Sequence, residues 1–132
     1  MRRSMTMAGV SAVVLSLAAC QSSDPVPDYD GRNLYLGYCA SCHGAEGAGD
    51  GPVAPALAQE LQDLRTLEAR EGAFPRERLI ELIDGRTLRA AHGTPDMPVW
   101  GWQFRLVEES PEHADARIVA LVDYLEDIQL GR

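Results

Sequence analysis

The heptapeptide YCASCHG, Tyr38 to Gly44, places two thiols and an imidazole within five residues. Such a cluster can close a disulfide, hold zinc, work as a dithiol redox pair or carry a covalently attached haem. The remainder of the 132-residue chain separates these possibilities.

The chain opens MRRSMTMAGVSAVVLSLAAC, with Arg2 and Arg3 ahead of a mostly apolar run from Met5 to Ala19. That is the pattern of a secretory signal, and the run is too short and too rich in Gly, Ser and Ala for a membrane span of about 20 apolar residues. Its ending LAAC, Leu17 to Cys20, is similar to the lipobox of bacterial lipoproteins, whose cysteine receives a diacylglyceryl group and becomes the new N-terminus. Ordinary cleavage near Ala19 would instead leave Cys20 as a free thiol. The polar, proline-containing QSSDPVPDYD that follows suits a stiff tether. The expected organisation is a lipoprotein signal peptide over residues 1–19, a lipid-anchored tether over 20–29 and one domain over 30–132, placed in the periplasm and anchored to a bacterial membrane through Cys20.

Charge narrows the partners. The chain has 20 acidic and 12 basic side chains and no lysine. Without Arg2 and Arg3 the balance is 10 basic against 20 acidic, a formal −10. Nucleic acid is excluded, because its affinity comes from basic groups neutralising phosphates. The glycines of GAEGAGDGPVAPAL, from Gly44, are not a phosphate loop, since the GxxxxGK[ST] pattern needs a lysine.

The periodicity is helical throughout the domain. Asp30 caps a first helix whose Leu34, Tyr35 and Tyr38 face a core. Leu57, Leu61, Leu64 and Leu67 recur at helical spacing and predict a further core helix within 58–78. PRERLIELIDG, from Pro75, predicts a helix with proline in its first turn and glycine at its end. Residues 85–101 read as a long loop. Ser110 and Pro111 open a last helix running to Gly131, with Ile118, Leu121, Val122, Leu125 and Ile128 on one face. No stretch alternates as a strand does, so the expected class is all-α, a few helices joined by long loops.

This setting selects among the candidates for the cysteines. Zinc wants four ligands and no second cysteine pair exists beyond Cys39 and Cys42. A redox CxxC belongs after a strand, and a disulfide across two residues closes too short a loop to remove much chain entropy. With His43 next in line the motif is CxxCH, the attachment signature of c-type haem. Two thiols three positions apart can each add to one vinyl group on the same porphyrin edge, and His43 then supplies the proximal nitrogen to iron. For the sixth position, Met1, Met5 and Met7 leave with the signal, so Met97 is the sole remaining thioether. It lies 54 residues after His43, between Pro95 and Pro98, which hold the chain extended. His92 is the competing ligand. His113 reads as a solvated residue at the start of the last helix.

With these residues in place the domain resembles class I c-type cytochromes, the small mono-haem electron carriers, from about Asp30 to Gln129. Gly31 and Tyr35 look like the glycine and aromatic of the family's first helix, and Leu121 with Tyr124 like the pair on its last; in the family these helices cross closely. Pro55 and Leu57, 12 and 14 residues after His43, match the family's proline and leucine. The resemblance implies that the Pro55 carbonyl accepts the other ring N–H of His43, and that Met97-Pro98 is the methionine ligand loop. Trp100 and Trp102 read either as crevice or propionate contacts or as core.

The expected cofactor is one covalent haem c and the expected role is transfer of single electrons between redox protein partners, with no small-molecule substrate and no enzymatic activity. A dedicated haem subunit of a dehydrogenase or terminal oxidase is the alternative. A haem sensor or peroxidase-like protein would need an exchangeable sixth site.

Overall fold

A computed structural model describes residues 25–86 and 97–131. The expected signal segment 1–19, Cys20, His92 and Pro95 lie outside the described residues. Among the described residues there are six α-helices and no strand: α1 (Gly31–Tyr38), α2 (Ala40–His43), α3 (Leu67–Glu71), α4 (Arg76–Asp84), α5 (Trp100–Val107) and α6 (Pro111–Asp127), with short 3-10 turns at Ala54–Ala56 and Leu64–Thr66. The all-α expectation holds.

The chain folds onto α6. Ser110 accepts a hydrogen bond from the His113 N–H and Pro111 takes the first helical position, where a missing N–H costs nothing. Ala114, Ile118, Leu121, Val122 and Leu125 then repeat at three- and four-residue intervals, so one stripe of the helix is buried. Against it pack α1, α4 and α5.

Asp30 caps α1 as its position predicts, accepting from the Asn33 N–H at 3.0 Å. Leu34 and Tyr35 are buried, whereas Tyr38 stays largely exposed, its ring edge-on to Trp100 and Phe104. The α1–α6 crossing is very close. A Cβ on Gly31 would lie 2.0 Å from the Ala120 carbonyl oxygen and 3.0 Å from Tyr124 Cβ, so only glycine fits. One turn along, the Tyr35 and Tyr124 rings meet at 5.1 Å. The Tyr35 hydroxyl donates to the Gly44 carbonyl at 2.8 Å, linking the crossing to the end of α2.

Three expectations are corrected. The leucine stripe from Leu57 to Leu67 is not one helix: the backbone is irregular until the Leu64–Thr66 turn and α3 begins only at Leu67. Asp63 accepts from the Arg65 N–H and caps that turn, so the apolar spacing is interrupted by local capping. Gln129 secures the segment, its amide donating to the Leu64 and Leu125 carbonyls while its oxygen accepts from the Glu68 N–H. Second, the loop expected over 85–101, of which 87–96 lie outside the described residues, ends two residues early, at the start of α5, a helix the sequence reading did not include. WGWQFRLV has weak helix formers and no capping side chain at Val99, so tertiary packing makes this helix: Phe104 is 1% exposed. Third, His113 is not solvated. Its side chain is 12% exposed and Nδ1 lies 3.8 Å from the Glu108 carboxylate.

Glu108 also accepts from the Tyr29 hydroxyl at 2.8 Å and pairs with Arg117, whose guanidinium stacks over the Tyr29 ring. Burial pushes the Glu108 carboxyl up, but these donors outweigh it and hold the pKa below the ordinary carboxylate range. Tyr29, assigned to the tether by sequence, is thus bound to the helical body.

The crossing sets the main stability prediction. Gly31→Ala should destabilise the protein by about 1–3 kcal/mol, the usual cost of overpacking, because a helix backbone rather than a flexible side chain blocks the methyl group. Denaturant unfolding followed by circular dichroism measures it, and an unchanged midpoint would show that α1 and α6 separate easily.

Candidate functional site

At the end of α1 the helix breaks at Cys39 and resumes as the single turn α2, which stops at Gly44 with φ +83°. The carbonyls exposed by so short a helix are taken up by the loop that follows: the Gly49 N–H donates to His43 O at 2.8 Å, Gly51 to Cys42 O at 3.1 Å and Val53 to Ser41 O at 2.9 Å. The glycine-rich loop is therefore a backbone cradle for Cys39–His43, which explains why glycine is needed at Gly51, where a Cβ would lie 2.4 Å from Cys42 O.

Beside this turn is a cavity of about 350 Å³. Cys39, Cys42 and His43 reach it from the α1–α2 end, together with Tyr38 and Ser41. Leu57, Leu61, Leu64 and Leu67 line it from the irregular stretch and Leu79 from α4. Met97, Pro98 and Trp100 line it from the entry to α5. Gln59, Glu60 and Gln62 add a polar margin. The volume falls in the range of small-ligand sites, about 300–1,000 Å³.

Four sequence-predicted residues, Cys39, Cys42, His43 and Met97, therefore share one cavity although Met97 is 54 positions beyond His43. Pro55 lies in the Ala54–Ala56 turn, which rests against α2, and is outside the cavity wall. Trp100 is on the wall and packs with Tyr38 at 5.3 Å, whereas Trp102 is 62% exposed and off it. The leucines at 57, 61, 64 and 67 were legible as an apolar stripe but not as cavity lining. Nothing in the spacing of Gln129 pointed to its role behind them.

Cys39 and Cys42 are not joined to each other in a disulfide. Burial, and secondarily the neighbouring Cys42, push the Cys39 thiol up to about 12, so it is protonated at neutral pH. Among the described residues no group of three or more His, Cys, Asp and Glu is placed to hold a metal ion by itself. The chemistry of the donor set is two thiols, one imidazole and one thioether beside five leucines. That set does not make a zinc site, and it fits a flat apolar macrocycle with thiol attachment points and a nitrogen and a sulfur for iron.

The family model for cytochrome c matches residues 29–129. The chain belongs to the cytochrome c family. It accordingly binds haem c covalently and serves haem-based electron transfer, and members of the family are generally electron carriers rather than enzymes. The match begins at Tyr29, the first residue tied to the helical body by a side-chain hydrogen bond, and ends at Gln129, the last buried one. No protein of curated function and no solved structure matches the chain.

Proposed function

We propose that this cytochrome c is a lipid-anchored periplasmic carrier that passes single electrons between larger redox complexes, with its haem held by Cys39 and Cys42 and ligated by His43 and Met97. One observation supports this above the others: the four side chains converge on a single cavity whose apolar lining is mostly leucine. When bound, haem supplies an iron that gains and loses one electron. Each thiol would carry one thioether, His43 would give a nitrogen and Met97 a neutral sulfur, while the Pro55 carbonyl would orient the imidazole. Leu57, Leu61, Leu64 and Leu67 exclude water. An apolar wall and an uncharged thioether disfavour the extra positive charge of the oxidised state, which raises the reduction potential.

Cys20 would carry the lipid, with residues 21–28 as tether. Multiple acyl chains hold a small domain firmly where one chain would be marginal. Among the described residues no helix is long and apolar enough to cross a membrane. The partner's docking site carries net positive charge, because a mature formal charge of −10 accelerates encounter with a basic patch.

In protein made by a haem-attaching host, haem should stay on the polypeptide through denaturation, and Met97→Ala should abolish the weak ferric absorption band of sulfur–iron ligation and lower the potential. Colour lost on denaturation would remove Cys39 and Cys42 from the reading, and a band that survives in Met97→Ala would remove Met97. Cys20→Ser is expected to move the haem protein from the membrane to the soluble periplasmic fraction; continued membrane association would mean a protein anchor. Stopped-flow electron transfer to a native partner should slow as salt rises through 0.1 M, where the Debye length is about 10 Å, and rates flat in salt would point to apolar docking instead.

A further inference from the structure

α4 ends at Asp84 and α5 begins at Trp100, with Met97 three residues before it. The two ends of this stretch touch. Gly85 turns the chain with φ +82°, and a Cβ there would lie 2.2 Å from Val99 Cγ1. A Cβ on Gly101 would lie 2.1 Å from Asp84 Oδ1 and 2.5 Å from Asp84 O, so the first turn of α5 rests directly on the last residue of α4.

Asp84 is the polar centre of this junction. Its side chain is only 4% exposed. Oδ1 accepts from Arg105 Nη1 and Oδ2 from Arg86 Nε, each at 2.5 Å. The other arm of the Arg105 fork, Nη2, donates to Asp115 Oδ1 at 2.9 Å on α6. One guanidinium thus joins α4, α5 and α6, and a planar fork spans two carboxylates in a way an ammonium cannot. Arg86 pairs with Asp84 while its side chain stays 62% exposed.

We infer that Asp84, through Arg105, is a positioning residue for Met97: it seats α5 on α4 and so sets where the chain two residues before Val99 can lie. The inference rests on the reading of Met97 as the distal ligand. The buried charge of this pair is the Asp84 carboxylate, so weakening a guanidinium leaves it poorly compensated, while neutralising Asp84 frees both arginines, at 62% and 37% exposure, to turn to solvent and let α5 shift on α4. The Cys39–His43 turn is held by its own backbone bonds to Gly49, Gly51 and Val53, and the α1–α6 crossing by Gly31 on Ala120, neither of which includes Asp84 or Arg105; α5 meets α1 through the Tyr38 ring contacts with Trp100 and Phe104. Loosening the clamp should therefore release the thioether more than it disturbs the Cys39–His43 turn.

The test is exogenous imidazole binding to the ferric holoprotein, read with the sulfur–iron band, for the parent, Asp84→Asn, the milder Arg105→Lys, and Leu121→Val as a core variant of comparable instability. Asp84→Asn should bind imidazole about tenfold more tightly with a weakened band and covalent haem retained. Arg105→Lys should shift in the same direction by less, and it carries the test if Asp84→Asn does not fold. Leu121→Val should behave as the parent. Parent-like imidazole affinity in the clamp variants, or an equal rise in Leu121→Val, overturns the inference and leaves Asp84 a purely structural residue. A parent that lacks the band fails the Met97 reading itself, which the parent spectrum alone reveals.

Discussion

Everything in this cytochrome c is arranged around the near-contact of two helix backbones at Gly31 and Ala120. Without a side chain at Gly31, α1 drops onto α6 until Tyr35 meets Tyr124, and the Tyr35 hydroxyl then reaches the carbonyl of Gly44. That bond terminates the haem-motif turn from below while the Gly49, Gly51 and Val53 N–H groups close it from the loop side. The position of Cys39, Cys42 and His43 is thus inherited from a packing event at the other end of α1. A four-residue helix such as α2 has no independent stability in water, and only tertiary contact holds it.

The elements legible in the sequence are those whose instructions are local. Asp30 and Ser110 are capping side chains, Pro111 prefers a first turn, and α6 spells its buried face at regular spacing; each determines structure within a few residues. The CxxCH motif was legible for the same reason, being a chemical specification in five consecutive positions. Met97 was singled out by elimination, as the one methionine of the sequence beyond residue 7. His113 was misread because its environment is set by Glu108 and Arg117, which packing brings together and no local pattern announces.

The leucines and α5 fail in opposite directions. Leu57, Leu61, Leu64 and Leu67 carry a helical period without a full helix, because a wall around a flat apolar group also wants apolar side chains at intervals and because Asp63 diverts the backbone into a 3-10 turn. WGWQFRLV is a helix without a persuasive period: Trp102, Leu106 and Val107 are exposed while Gly101 and Phe104 are buried. Its register is chosen by the junction with Asp84 and by the ring contacts among Tyr38, Trp100 and Phe104. Hydrophobic pattern reports burial, and burial against a cofactor or at a three-helix junction need not follow the period of a two-sided helix.

Gln129 has a consequence for the order in which the fold is assembled. Gln129, which holds Leu64 and Glu68 in place, lies 65 and 61 positions further along the chain respectively. Leu130 adds a backbone bond to Arg65 O at 2.8 Å. The leucine segment has little regular structure of its own, so its backbone is ordered by a long-range closure whose entropy must be met before any contact repays it. The α1–α2 turn is seated by α6, and the cavity wall is held by Gln129 and Leu130, so both wait for the C-terminal part of the chain. The two thiols and His43 are therefore enclosed only once the last helix and the residues after it have folded back.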